Sequence, residues 1–195
     1  MSKPWLPHLA TEHIRQLNPQ QVFELGSGES TLFFIKSGAS LVSIEHNKDW
    51  YDKTNILLYQ HAKSHKDFKY IPFEDGCIGS NPANPVHYKS ASTELGEVNF
   101  QQYASAIDEY GKFDLILIDG MARASCLYHA ASHVAEGGCI VLDNADREWY
   151  LRNTAFLFEG WERIEFNGYG PILEYPWKTL FLINKRKRHY EVTNK

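Results

Sequence analysis

The sequence predicts an α/β domain with a mostly parallel sheet covered by helices on both faces, and three observations carry that prediction. Short β-branched runs alternate with helical patterns along the chain. Two runs, FDLILID (113–119) and CIVLD (139–143), are almost wholly apolar, as central strands buried on both faces must be. VFELGSGEST (22–31) reads as a buried strand passing through two glycines into a helix start, a common cradle for a nucleotide cofactor.

Taken in order, QQVFEL (20–25) is the first strand and STLFFIKS (30–37) the helix after the glycine turn. SLVSIE (40–45) is the second strand. KDWYDKTNILLYQHAK (48–63) spaces Trp50, Tyr51, Thr54, Leu57, Leu58 and His61 as one helical face. FKYIPF (68–73) is a weaker third strand. Residues 74–98, rich in Gly, Pro and Ser and without periodicity, form a long loop of the kind that is functional or mobile. The rhythm resumes with helix 99–111, strand 113–119, helix 124–138 and strand 139–143. A helix over 147–158 and strands 161–166 and 179–184 complete the chain.

At 195 residues the chain is most simply one domain, with 43% hydrophobic and 23% charged residues, an ordinary globular composition. A net charge of −4 implies no general nucleic-acid affinity. The basic tail over 185–195, which opens KRKRH, reads as a solvated end. Cys77, Cys126 and Cys139 are odd in number and far apart, so no disulfide framework is expected and a reducing cytoplasm fits. Neither a signal peptide nor a membrane-spanning run is present. Oligomeric state is not legible.

Glu24, Glu45, Asp119 and Asp143 each stand at or near a strand's end, where open α/β sheets place their ligand crevice. The glycine turn reads Gly26-Ser27-Gly28-Glu29-Ser30-Thr31, so threonine replaces the third glycine of a nicotinamide or flavin fingerprint. No Gly-Lys-Ser/Thr follows, which excludes a P-loop. A pyrophosphate is repelled by Glu24 and Glu29, with no Lys or Arg between this turn and Lys36 to offset them. S-adenosylmethionine reverses the problem: it lacks phosphate, and its ammonium and sulfonium suit acidic neighbours while turn amides take its carboxylate. Glu45, nineteen positions after Gly26, is placed to accept hydrogen bonds from a ribose diol.

Glu24-Leu25-Gly26-Ser27-Gly28 resembles the first motif of class I, Rossmann-like S-adenosylmethionine-dependent methyltransferases. SIEHNKDWY (43–51) is similar to their second-strand acid motif, and FDLILIDG (113–120) and GGCIVLDNADR (137–147) to their fourth and fifth strands. The likeness runs over about 20–184. It implies a seven-stranded sheet of order 3-2-1-4-5-7-6 with strand 7 antiparallel. It also implies that Glu24 sits near the methionine amino group and that Gly26, Ser27 and Gly28 line the methionine moiety. By the same resemblance Glu45 binds ribose, His46 and Trp50 flank the adenosine, and Asp119 faces the methyl donor. Trp50 reads equally as a core residue.

Asp119 with Asp143-Asn144 is similar to the metal set of catechol-type and caffeoyl-CoA-type O-methyltransferases. That resemblance implies Mg²⁺, Mn²⁺ or Ca²⁺ on three oxygen ligands, lowering the pKa of an acceptor hydroxyl. The sequence departs from those enzymes after the first aspartate: Gly120-Met121-Ala122-Arg123 stands where a lysine is usual, and arginine is a poor base. The other reading is that Asp143 and Asn144 cap the next helix and bind substrate directly.

The expected activity is methyl transfer to a small polar acceptor, oxygen before nitrogen, with Asp119, Asp143, Asn144 and Arg123 as the catalytic group. His87 and Tyr88 of the 74–98 loop are expected in one substrate wall and Tyr169, Tyr175 and Trp177 in another, with Arg123 and Arg147 orienting an anionic or polyhydroxylated acceptor. Rival readings are a nucleotide-dependent oxidoreductase and a non-catalytic cofactor-binding sensor or scaffold. The i, i+4 pairs His61/His65 and His129/His133 have zinc-like spacing but no partner ligand at recognisable spacing.

Overall fold

The computed structural model describes residues 3–61, 66–92, 95 and 97–185, with side chains from 60 to 66 outside the description. The chain runs α1 (His8–Leu17), β1 (Gln21–Leu25), α2 (Glu29–Ser37), β2 (Ser40–Glu45), α3 (Lys48–His61) and β3 (Lys66–Tyr70). It continues through β4 (Glu74–Asp75), β5 (Val98–Asn99), α4 (Gln101–Ser105), β6 (Phe113–Ile118), α5 (Arg123–Ala130), β7 (Val134–Leu142), β8 (Glu162–Gly168) and β9 (Trp177–Ile183).

Seven strands form one sheet in the order β3-β2-β1-β6-β7-β9-β8. β3, β2, β1, β6 and β7 pair in parallel, while β9 inserts antiparallel between β7 and β8. This is the topology that the motif resemblance implied. β4 and β5 form a separate antiparallel pair at the two ends of the long loop.

Strand alternation divides the core. Phe23, Leu25, Ile116, Ile118, Ile140 and Leu142 point to one face, under α4 and α5. Val22, Leu115, Leu117, Cys139 and Val141 point to the other, with Leu32, Phe34 and Ile35 of α2. β6 from Leu115 and β7 from Cys139 are buried on both sides, which is why those stretches are continuously apolar.

Four local expectations change. α1 was not read from the sequence; its Ala10 and Ile14, four apart, are both fully buried on the α2 side of the sheet. The helix expected over 124–138 stops in a 3-10 turn at Ala131–His133, and 134–138 begins β7 instead. Gly137 has φ 82, and its N–H donates to Asn184 O, so the glycines serve strand entry and not a helix end. The helices expected over 99–111 and 147–158 are a five-residue helix plus a 3-10 turn, and two 3-10 turns, respectively. Tyr150 and Phe158 are nonetheless buried, so packing of single side chains overrode helical periodicity there.

Among the described residues no helix is long and apolar enough to cross a membrane. Cys77, Cys126 and Cys139 are free thiols. The basic run after Lys185 lies outside the described residues.

Candidate active site

The carboxyl ends of β1, β2 and β6 open onto a cavity of about 930 Å³, within the size range of small-molecule sites. The β1 and β6 turns meet there backbone to backbone. Gly26 has φ 96, and a Cβ on it would stand 2.7 Å from Gly120 N and 2.9 Å from the Asp119 carbonyl carbon. No side chain fits in that gap. Gly28 begins α2, its N–H donating to Thr31 Oγ1 at 2.8 Å. The Trp50 indole lies against Gly28 and donates to Ser27 O, with Trp5 5.4 Å from it, centroid to centroid.

Glu24 does not line this cavity. Strand alternation turns it with Val22 toward α2, where it is fully buried and accepts hydrogen bonds from Ser30 Oγ (2.5 Å), Thr31 Oγ1 (2.6 Å) and Ser43 Oγ (2.6 Å). Burial outweighs those three donors and raises its pKa from 4.5 to about 7. In this conformation Glu24 ties α2 to β2 beneath the glycine turn.

Glu45 lines the cavity with its carboxylate already engaged. Oε2 accepts from Ser27 N (2.9 Å) and Ser27 Oγ (3.1 Å); Oε1 accepts from His46 N and Asn47 N, both at 2.8 Å. His46 Nδ1 lies 3.0 Å from Oε1. Burial pushes the Glu45 pKa upward, but the His46, Asn47 and Ser27 contacts prevail and hold it below the ordinary value.

At the other end of the cavity Arg123 ties the β6 and β7 turns together. Its guanidinium donates to Gly120 O (2.9 Å), Asp119 O (2.9 Å), Asp119 Oδ1 (3.1 Å), Asn144 Oδ1 (3.0 Å) and Asp143 O. Those contacts occupy all five N–H donors. Asp143 does not line the cavity: its Oδ1 accepts from Trp177 Nε1 (3.0 Å) and Thr179 Oγ1 (2.5 Å) of the neighbouring β9, and its carboxyl lies in hydrogen-bond contact with that of Asp119. Asp119 reaches the cavity with about 24% of its side chain exposed. Burial and the neighbouring Asp143 carboxyl raise its pKa well above the ordinary aspartate value, against the opposing pull of Arg123.

This geometry corrects the expected metal set of Asp119, Asp143 and Asn144. A guanidinium bonds both Asp119 Oδ1 and Asn144 Oδ1, while Asp143 Oδ1 is taken by Trp177 and Thr179. Among the described residues no group of three His, Cys, Asp or Glu side chains is placed to hold a metal ion. Mg²⁺ or Mn²⁺ does not fit this arrangement. Asn144, at φ 49 in the left-handed region that asparagine tolerates, completes the turn.

The expected substrate walls also shift. Trp177 is buried, Tyr169 and Tyr175 are exposed, and none of the three lines the cavity. His87 packs inside its own loop, accepting from Asn81 N, and Tyr88 Oη meets His129 Nε2 at 3.3 Å. The lining comes instead from the neighbouring Lys89, Ser90, Ala91 and Ser92, with Trp5, Trp149 and Tyr150 as the aromatic surfaces. Trp5 and Trp149 carried no sequence signal, since no motif includes them. His129 and His133 both face Asp108, at 2.8 and 3.5 Å. His65 and the side chain of His61 lie outside the described residues.

No protein-family model matches the chain, and no curated protein matches it by sequence. Solved structures do match in shape. The O-methyltransferase from Bacillus cereus in complex with SAH is 14% identical over 91% of this chain and 79% of its own, with a TM-score of 0.63. A methyltransferase from Pyrococcus furiosus is 13% identical over 91% and 82%, with a TM-score of 0.54. An rRNA methylase from Streptococcus thermophilus is 11% identical over 92% and 96%, with a TM-score of 0.56. The chain has the class I methyltransferase fold. At these identities the likeness describes the fold and leaves chemistry to the site.

Proposed function

We propose that this chain is an S-adenosylmethionine-dependent methyltransferase that acts on an oxygen of a small polar acceptor in a reducing cytoplasm. The observation that carries the reading is the charge of the cofactor half of the cavity. Around the β1 turn it is lined by Glu29, Glu45 and Asp49, with Lys53 as the cation on that side among the described lining residues. Such a rim repels a pyrophosphate and suits an ammonium and a sulfonium. The SAH named with the Bacillus cereus structure supports the same cofactor.

When bound, S-adenosylmethionine supplies an electrophilic methyl group. The turn of Gly26, Ser27 and Gly28 lies along its methionine moiety, and the first amides of α2, at Glu29 and Ser30, face its carboxylate. Glu45 exchanges the Ser27 donors on Oε2 for a ribose diol, while the backbone amides of His46 and Asn47 keep Oε1 in place. His46 and Trp50 flank the adenosine. Glu24 supports the turn from below. Asp119, paired with Arg123, accepts the proton of the acceptor hydroxyl as the methyl passes from sulfur to that oxygen, and Arg123 fixes the Asp119 carboxyl in position. No step requires a metal. Residues 74–98 act as a lid, with 89–92 as the part that meets the acceptor.

The test is a thermal-shift comparison of S-adenosylhomocysteine with NAD(H). Ligand at about 100 times its dissociation constant stabilises the fold by roughly 2.7 kcal/mol, which raises Tm. A larger shift with NAD(H) overturns the cofactor assignment.

A further inference from the structure

The cavity is electrostatically divided. Its β1–β2 side carries the carboxylates described above. On the β6–β7 side the charged lining residues are Asp119, Arg123 and Arg147, joined by Lys89 from the long loop, where Ser90 Oγ lies 3.2 Å from Met121 Sδ of the β6 turn. Asp119 and Arg123 bond each other at 3.1 Å and cancel. Every Arg123 N–H is already spent on that turn and the next, so the guanidinium first expected to read a substrate is not available for one.

Arg147 differs. Its NH1 donates to Tyr150 Oη at 3.0 Å, and no carboxylate pairs with it among the described residues. Tyr150 is itself held, buried, with the Arg123 guanidinium 5.5 Å above its ring. The hydroxyl that orients Arg147 is therefore part of the same knot that fixes the ends of β6 and β7. The acidic neighbours in sequence do not neutralise it. Asp146 and Glu148 are exposed, do not line the cavity and act on Lys178, raising its pKa together with Glu165. Arg147 leaves a cationic group at this end of the cavity beside the indole of Trp149.

We infer that the acceptor taken by this site is a small anion, a carboxylate or phosphate ester with a flat apolar part, whose charge is met by Arg147 while its flat part lies along Trp149. This rests on the methyltransferase reading for what the site then does. The charge discrimination itself does not depend on turnover.

The experiment is a pair of titrations followed by NMR chemical shifts, with benzoate and its neutral isostere benzamide, in the presence of S-adenosylhomocysteine and again without it. Phenyl phosphate serves as a third probe to separate the two anion chemistries. Benzoate or phenyl phosphate is expected to bind about tenfold more tightly than benzamide, as a charge-assisted contact requires. In Arg147→Gln that ratio falls to about one to three, and S-adenosylhomocysteine affinity stays as in the wild type. Added salt lowers the ratio in the wild-type protein. Equal binding of benzamide and both anions overturns the inference, and so does an anion preference that survives Arg147→Gln. Absence of S-adenosylhomocysteine binding with the anion preference intact instead overturns the cofactor reading and leaves the anion site standing.

Discussion

Replacing Glu24 by glutamine should remove one defined component of the protein's pH dependence. The folded protein holds this carboxyl with no solvent exposure, and its pKa rises from 4.5 to about 7. An acid with a raised pKa in the folded state binds its proton more tightly there than in the unfolded chain. Its favourable contribution is thus complete below pH 4.5 and is lost as pH climbs through about 7. A displacement of that size corresponds to about 3 kcal/mol of stability lost between mildly acidic and mildly alkaline pH. Glutamine resembles the protonated acid in shape and neutrality, and the hydroxyls of Ser30, Thr31 and Ser43 can turn to accept from its amide. Urea unfolding of both proteins at pH 5, 6, 7 and 8 gives the difference directly, because other titrating groups cancel between them. The wild-type stability should fall relative to Glu24→Gln by about 3 kcal/mol across that range. Parallel curves would refute the argument, since they would mean that the three hydroxyls solvate the carboxylate as well as water does.

Gly26→Ala should cost at least about 3 kcal/mol in urea unfolding and abolish S-adenosylhomocysteine binding, because its Cβ meets the Gly120 backbone at 2.7 Å. Arg123→Lys replaces five donors by three and strands at least two of the acceptors that join the β6 and β7 turns. About 2–4 kcal/mol of stability should be lost, read by the same unfolding experiment, and EDTA should leave wild-type turnover unchanged. Glu45→Gln should weaken S-adenosylhomocysteine by about 1.5–3 kcal/mol in calorimetry, since a ribose diol loses a charged acceptor. Limited proteolysis should cut within residues 76–92 in the free protein and more slowly with cofactor and acceptor bound; equal rates in both states would count against a lid.

The sequence by itself determined the sheet and the position of the cofactor turn. FDLILID and CIVLD read as central strands, because after Asp114 nothing polar interrupts the first, and nothing at all the second, until the aspartate that ends each one. Gly26 marked the turn because no residue with a Cβ permits its close approach to the Gly120 backbone. Those signals are local, carried by composition and by spacing along one segment. Tertiary structure decided which way each strand-end carboxylate points. Glu24, Glu45, Asp119 and Asp143 look alike in sequence, yet Glu24 meets hydroxyls of α2 and β2, and Asp143 meets Trp177 and Thr179 of β9, residues thirty-four and thirty-six positions away. Only Glu45 and Asp119 are left facing the cavity. The same holds for Arg123, expected to orient the acceptor, whose guanidinium is instead taken up in part by acceptors of the β7 turn. A side chain's partners are set by which strands lie beside its own and by which face of the sheet it shares with them. An antiparallel β9 inserted next to β7 changes both for Asp143, and no residue near Asp143 in the chain records that insertion.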